Sequence, residues 1–576
     1  MTAKILLGVA VVAVALFLSG LGAAPFVDPP EGSHAGVALE MTRTGDWVTP
    51  HINGVRYFDK PPLLYWLMAG GFAVLGPSPW AARLWSALPA VGVAVVTAWI
   101  GLRLASPAVG LMAGLMVTAN LELFLFGRLV KPDLLFVFLI LVAFAGFIEA
   151  YRGGRRGALL LFFGGLGAAV LAKDILGAIG PLAVVGLFLA LTRERAALRR
   201  WLPWSGLALF VAVALPWYVV AEWRNRGFLW YTIVDNHVLN FLQHRGFPDE
   251  DVPLTAAEFL GVTAVGFFPW SLALPWAVWR GIKGPRDTSE GRVWLLLALW
   301  TVVLLGFFTL SPFKLPHYGL PAFPAMALLV AKVWSDVLER QPGAPTPAVL
   351  LLPALVCLVG LAVATFLAWQ GRLALPSGAL PAADVVARNM AAKGQEVPFA
   401  PAIQLRPIFG TLAAVFGLGA AAVAVGAAWR RPVIALGALL ATMVAFLPVT
   451  VEGFALFAKS RSVLTLAAAV ALRAAPHDVL AHEGALENSA SWLMSLDRPV
   501  KIVNGLQSNL AVGASFPDAR DAFWDGPHLA QAWQGDRRVF LLSVVKPEHS
   551  VVRELPPERV HLLREAGGRW LYSNRP

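Results

Sequence analysis

The stretch VRYFDKPPLLYW, Val55 to Trp66, sets an acid and a base, Asp59 and Lys60, against two prolines and an apolar run. Its surroundings make that charged pair expensive. The chain has 576 residues, 58% of them hydrophobic and 14% charged, whereas soluble domains carry roughly 45–50% apolar and about 25% charged residues. With a mean hydropathy of +0.67, it reads as an integral membrane protein. Charges in such a chain are kept where they meet a polar cavity or a substrate path, so the meaning of Asp59 and Lys60 depends on where the other charges fall.

Apolar runs near the ~20 residues that cross a bilayer lie at about 5–24, 80–101, 107–126, 133–150, 157–172, 175–192, 202–221, 259–279, 293–311, 317–334, 348–369, 407–428 and 432–450. The expected fold class is therefore a polytopic α-helical membrane protein of about 13 transmembrane helices. The first run exceeds the ~7–15-residue core of a cleavable signal and reads as a retained anchor. The pair flanking Lys173 is short, consistent with tilted or partly re-entrant helices.

With the N-terminus inside, every second connection is basic: Arg103; Arg152, Arg155 and Arg156; Arg193, Arg195, Arg199 and Arg200; Arg280, Lys283 and Arg286; Lys332 and Arg340; Arg430 and Arg431. The positive-inside rule puts these in the cytoplasm. The alternate connections carry charge next to span ends, at Arg128, Lys131 and Asp133, at Lys173 and Asp174, and at Lys314. Together with the amphipathic loops 25–79, 222–258 and 370–406, they fall outside. Residues 1–450 then form the transmembrane domain and 451–576 a soluble domain on the outer side. The formal charge of +11 goes to cytoplasmic loops and anionic headgroups, which argues against a nucleic-acid partner. A single cysteine, Cys357, excludes an intrachain disulfide and a thiolate metal cage.

The outer connections hold the chemistry. Asp28, Glu31 and His34 follow the first span directly. GVALEMTRTGDW suits a short amphipathic helix lying along the interface, INGVRY an Asn-Gly turn, and KPPLLYW a helix started by proline. A lone lysine at headgroup height snorkels to water, but Lys60 is joined on the same side by Lys131, Lys173, Lys314 and His317. Converging cations suit a phosphate at the membrane interface, and neighbouring carboxylates suit a general base. A group carried on a polyprenyl phosphate and due for transfer needs both. The aromatic connection WRNRGFLWYTIVDNHVLNFLQHRGFPDEDVP serves either as packing over the helices or as a lid that stacks on a sugar ring. No cofactor is required for such a leaving group. A divalent metal held by Asp59 with His34, His51, His237, His244 or His317 is the alternative, although their spacing matches no compact zinc motif. Beyond residue 450, strand candidates at DVLAHEG, PVKIVN, RRVFLLSVV and RWLYSN predict a small α/β domain.

In chain order, TGDWVTPHINGVRYFDKPPLLYW, KPDLL, AKD, PWY followed by DNHVLNF, and KLPHYGLPAFP resemble the bacterial lipid A aminoarabinose transferases and their protein O-mannosyltransferase-like relatives. The resemblance implies the membrane-embedded C-type glycosyltransferase fold. It also implies inverting transfer of a pentosyl or hexosyl group from a polyprenyl-phosphate carrier to a lipid, glycan or protein acceptor, on the periplasmic side of the bacterial inner membrane. Lys60 matches the lysine of the family's YFEKP, and Asp59 stands for its glutamate. Asp133 opens the fourth span, Lys173 matches the lysine of TKGP, His237 the histidine of an EH pair, and Lys314 with Tyr318 the KLPTY pair. The resemblance thus assigns the carrier phosphate to Lys60, Lys173 and Lys314, and substrate contacts to Asp59, His237, His317 and Tyr318. Catalysis falls to Asp28, Glu31 and Asp133, because the family's D-E pair reads Pro30-Glu31 here and Asp28 or Glu31 has to serve as base.

Two other classes remain at the sequence level. Intramembrane charges and broken apolar runs also mark transporters and lipid flippases, though the chain has no matching halves and its charges gather at one interface. An inactive acceptor-binding relative is compatible with Pro30.

Overall fold

The computed structural model describes residues 2–153, 157–194, 198–247, 253–340, 351–369, 402–506 and 508–576. Arg155, Arg156, Arg195, residues 248–252 of the FPDEDVP turn and 370–401 of the loop 370–406 lie outside the described residues. The helical part runs α1 (Thr2–Leu18), α2 (Pro30–Thr44), α3 (Leu63–Leu75), α4 (Pro79–Leu104), α5 (Pro107–Thr118), α6 (Leu121–Gly127), α7 (Asp133–Gly153), α8 (Ala158–Ala172) and α9 (Leu176–Leu191). It continues with α10 (Leu198–Trp201), α11 (Trp204–Arg224), a π-helical turn Trp230–Leu239, α12 (Ala256–Gly266), α13 (Leu274–Lys283), α14 (Ser289–Leu310), α15 (Phe323–Leu338), α16 (Leu351–Trp369), α17 (Ala402–Ala428) and α18 (Pro432–Ser460).

Among the described residues, eight helices are long and apolar enough to cross a membrane, or ten if each of two bent pairs is one span. The pairs are α5 with α6, bent by 62°, and α12 with the segment Trp270–Lys283, bent by 112°. The apolar helices α1, α3, α8 and α9 are shorter, so the described residues hold fewer full-length spans than the thirteen runs read from the sequence. The protein is a multi-pass membrane protein. Side chains such as Leu7, Val74, Trp204, Trp223, Leu310 and Trp369 remain exposed, the surface expected where acyl chains are the solvent.

Helix α2 departs from the reading of its sequence. It does not lie open on the interface: ten of its 15 residues are buried, because the C-terminal domain covers it. Asp28 accepts a hydrogen bond from the Ser491 backbone N–H at 3.1 Å, and a second from the Ser491 hydroxyl. Close approach is possible only because residue 32 is glycine. A Cβ there would fall 2.0 Å from Asp28 Oδ1 and 2.3 Å from the Ser491 nitrogen. Gly32→Ala is expected to lift the C-terminal domain off α2 at a cost of about 1–3 kcal/mol, read as a lower Tm in detergent and faster proteolysis around Ser491.

The short hairpin β1 (His51–Ile52) and β2 (Val55–Arg56) pairs His51 with Arg56 and Ile52 with Val55. Its turn residues Asn53 and Gly54 have φ of 56° and 74°, the pattern of a type I′ turn, whose twist suits a two-residue hairpin. Asn53 donates to the Val500 carbonyl at 2.7 Å and accepts from its N–H at 2.8 Å, so the loop is bolted to the C-terminal domain at a second point. The chain leaves this hairpin directly into Asp59 and Lys60.

The C-terminal domain is a six-stranded sheet of order β5-β4-β3-β6-β8-β7. Its strands are β3 (Val479–Glu483), β4 (Lys501–Val503), β5 (Phe523–Trp524), β6 (Val539–Ser543), β7 (His561–Ala566) and β8 (Arg569–Ser573). The first four are parallel, and β8 runs antiparallel to β6 and β7. Each of the four predicted strand segments contains a strand. The sequence did not announce β5, which has two residues, or β7, an edge strand whose exposed positions are Leu562, Arg564 and Glu565. In parallel sheets of this type, ligands bind outside the carboxyl ends of the strands, near the point where strand order reverses. Here the chain turns back between β3 and β6, and the loops after β3 and β4 face the membrane domain.

Candidate active site

A cavity of about 360 Å³ opens where five chain segments meet. The first turn of α2 brings Pro30 and His34, and the exit of the hairpin brings Tyr57, Asp59 and Lys60. The connection into α7 adds Lys131 and Asp133, and Lys173 ends α8. The turn before α15 adds His317 and Tyr318. The loops after β3 and β4 close the far wall with Glu487, Asn488, Ser508 and Asn509. Every residue supplied by the membrane domain comes from connections of one parity, those poor in arginine, so the ionisable groups collect on one side.

The cations are paired. Lys60 Nζ lies 2.7 Å from Asp59 Oδ1, and Lys173 Nζ 2.6 Å from Asp133 Oδ1. His317 Nε2 stands 3.5 Å from the same Asp133 oxygen. Burial works to raise the pKa of Asp59, but the Lys60 ammonium, with Lys131, outweighs it and holds the carboxyl below its usual range. Lys173 also sits over the Tyr318 ring, 4.8 Å from its centroid, a contact that favours the charged ammonium. With Lys131, three ammonium groups face one cavity, together with the carboxylates of Asp59, Asp133 and, from the far wall, Glu487.

A second cavity of about 180 Å³ shares Asp59, Lys60, Lys173 and Tyr318 with the first and leads away from it. Its walls are aromatic, with Phe136, Phe241, Phe307, Phe308 and Phe313, and the π-helical turn contributes Asn236 and His237. Phe241 is 51% and Phe307 42% exposed, so this groove reaches the lipid-facing surface. His237 Nδ1 lies 2.8 Å from the Thr232 carbonyl oxygen, which orients its ring. The lysines therefore stand at the junction of two chambers, the second of mixed lining, where Asp174, Asn240 and Arg245 accompany the phenylalanines.

Three expectations for individual residues need correction. Glu31 is fully buried and outside both cavities. It accepts from Arg83 Nε at 2.8 Å and Nη2 at 2.7 Å, and from the backbone N–H groups of Val27 and Val130 at 2.9 Å each. With its lone pairs engaged, it anchors the loop and cannot serve as base. Asp28 is only 2% exposed, turned toward Ser491 and absent from the cavity wall. Burial pushes its carboxyl up to about 6, although Arg569 and Ser491 pull it back. Lys314 also lines neither cavity; its ammonium donates to the carbonyls of Thr309 and Ser311 at the end of α14, a helix C-terminal role. The structure brings together Asp59, Lys60, Asp133, Lys173, His317 and Tyr318, places His237 in the adjoining groove, and leaves these three aside.

Sequence reading missed the far wall. Glu487, Asn488, Ser508 and Asn509 carry no motif, and more than 400 residues separate them from Lys60. Arg83 was missed too, although a charge inside the first turns of an apolar run is itself a signal. Among the described residues, no three His, Cys, Asp or Glu side chains gather as ligands for a metal ion.

Residues 35–232 match the protein-family profile of dolichyl-phosphate-mannose-protein mannosyltransferase. Among curated relatives, the undecaprenyl phosphate-alpha-4-amino-4-deoxy-L-arabinose arabinosyl transferase of Aeromonas hydrophila is 28% identical over 358 residues, covering 61% of this chain and 64% of that protein. The Pseudomonas aeruginosa protein of the same name is 30% identical over 323 residues, covering 52% of this chain and 54% of its own length. The alignments thus span between about half and two thirds of these relatives. The crystal structure of ArnT from Cupriavidus metallidurans bound to undecaprenyl phosphate superposes with a TM-score of 0.79 at 21% identity, over 99% of this chain and 97% of that one. Its apo form superposes at 0.78. With a family match across the loops that carry Lys60, Lys131 and Lys173, the chain is similar to the undecaprenyl phosphate-aminoarabinose transferases, and along nearly its whole length it has their C-type glycosyltransferase fold.

Proposed function

We propose that the protein is a glycosyltransferase that moves a pentosyl or hexosyl group, with inversion, from a polyprenyl-phosphate carrier to a lipid A-like acceptor. The observation that carries this reading is the placement of Lys60 and Lys173 on the shared wall of a polar chamber and an aromatic groove. A phosphate between these ammonium groups would have its prenyl tail in the groove and its sugar in the chamber. The relatives' names, which specify an undecaprenyl-phosphate-linked sugar, support the same carrier class. One-sided charge also argues against a transport path, which needs ionisable groups near mid-membrane.

In this mechanism an acceptor oxygen attacks the anomeric carbon. The bond from that carbon to the carrier phosphate breaks, and its electron pair stays on the phosphate. Ammonium groups already in position stabilise the growing charge without reorganisation. Because they supply the positive charge, no resident metal is required, and transfer is expected to keep its rate in EDTA. The reading is tested with purified protein, a labelled polyprenyl-phosphate sugar and membranes from a deletion strain. Label should enter a lipid fraction that is missing from those membranes; no transfer to any envelope fraction would refute the activity.

The arginine-rich connections support a bacterial plasma-membrane location with the chamber and C-terminal domain on the periplasmic side. Cysteine introduced by His528→Cys, an exposed site in the C-terminal domain, should react in intact spheroplasts with an impermeant maleimide. Arg431→Cys should react only after lysis.

A further inference from the structure

We infer that His34 is the general base of the transfer reaction, with Tyr65 as its positioning residue. This inference rests on the proposed glycosyltransferase activity and assigns the one role in it that the sequence left without a sound candidate.

Four observations converge on His34. First, His34 lies one helical turn beyond Pro30 on the same face of α2, the helix that follows α1. Both line the 360 Å³ chamber. Second, the carboxylates on the membrane-domain side of the chamber are engaged as counter-ions, Asp59 with Lys60 and Asp133 with Lys173. A proton on either would leave a lysine uncompensated. Third, His34 faces the chamber but not the aromatic groove. With the carrier tail in the groove and its phosphate at Lys60 and Lys173, the sugar and attacking acceptor project to the side where His34 stands. Fourth, the imidazole is held. Its Nδ1 is 3.1 Å from the Tyr65 hydroxyl, and with Nδ1–H donating to that oxygen, Nε2 keeps its lone pair for the acceptor proton.

The charges around His34 give the base a second property. Burial, with Lys131 and Lys60, drives its basicity down to about 4, while Asp59 and Asp133 act in the opposite direction. In the resting enzyme the imidazole is therefore neutral and weakly basic. Burial, the larger cause, stays in place, but an anionic carrier phosphate placed on those lysines offsets their share of the lowering and raises the basicity of the imidazole. Donor binding thus strengthens the base. In the step itself, the acceptor O–H proton passes to Nε2 as the new carbon–oxygen bond forms. The electron pair of the broken bond leaves on the carrier phosphate, and the imidazolium then gives its proton to solvent.

The test uses the full chain with labelled undecaprenyl-phosphate pentose, deletion-strain membranes as acceptor, and a separate binding measurement with tritiated undecaprenyl phosphate. His34→Gln is expected to lower kcat by about 10²–10³-fold, to leave the Kd for the carrier within about twofold, and to remove the acidic limb of the pH–rate profile. Tyr65→Phe should lower kcat less and keep that limb. Wild-type activity with His34→Gln within threefold of it would overturn the inference. So would parallel loss of carrier binding, which marks a structural role, or loss of the acidic limb in Glu487→Gln while His34→Gln retains it. A wild-type chain that transfers nothing would instead overturn the proposed activity, and this inference with it.

Discussion

Replacing Arg83 with methionine will destabilise the protein by about 3–5 kcal/mol, the cost of leaving one member of a buried ion pair behind. Arg83 is 1% exposed and makes five hydrogen bonds. Two go to Glu31, and three go to the carbonyls of Leu21, Ala24 and Pro25, which follow α1 and have no helical partner. Arg83 thus satisfies the connection that follows α1 while Glu31 holds the N–H groups of Val27 and Val130. Glu31→Gln keeps the shape of the side chain but removes its charge, and should cost less than Arg83→Met. Pairing Arg83→Met with Glu31→Gln should recover part of the loss, because no unpaired carboxylate then remains. The readout is thermal unfolding in detergent. A Tm within about 2 °C of wild type for Arg83→Met would contradict the structural assignment of Glu31 and reopen its candidacy as the base.

Lys60→Met is expected to reduce transfer by about 10²–10³-fold, the scale on which a single preorganised donor to a developing anion acts. Methionine keeps most of the aliphatic stem, and the lysine side chain is 29% exposed, so folding should survive. The Kd for undecaprenyl phosphate should rise, and its salt dependence should weaken, since one ammonium no longer meets the phosphate. Asp59→Asn separates two contributions. Without its carboxylate Lys60 stays charged and gains freedom to meet the phosphate, so carrier binding should hold or tighten even if the sugar is less well placed. Unchanged carrier affinity in Lys60→Met would remove the phosphate from the junction of chamber and groove.

Much of the local organisation could be read before any coordinates. The Asn-Gly turn, the proline-started helix after Lys60, the apolar spans and four strands of the C-terminal domain all follow from local rules of backbone geometry and hydrophobic patterning. The sidedness of the charges followed from the arginine count of alternate connections. Convergence on one side of the membrane was legible for Lys60, Lys131, Lys173 and Lys314, because each stands at a span end on the same side; that only the first three reach the chamber was not.

The carboxylates were another matter. Asp28, Glu31 and His34 are close neighbours in sequence, on one loop and the first turn of one helix. Their different surroundings come from elements far away in the chain: Arg83 claims Glu31, Ser491 claims Asp28, and only His34 reaches the chamber. The sequence by itself determined a membrane-spanning chain with cations massed on one face, since those properties depend on composition and period along the chain. Only the tertiary structure decided which acid is a strut, which group faces the chamber and which loops close the far wall. Those outcomes depend on which hydrogen-bond partners arrive from distant segments, and no local pattern encodes them.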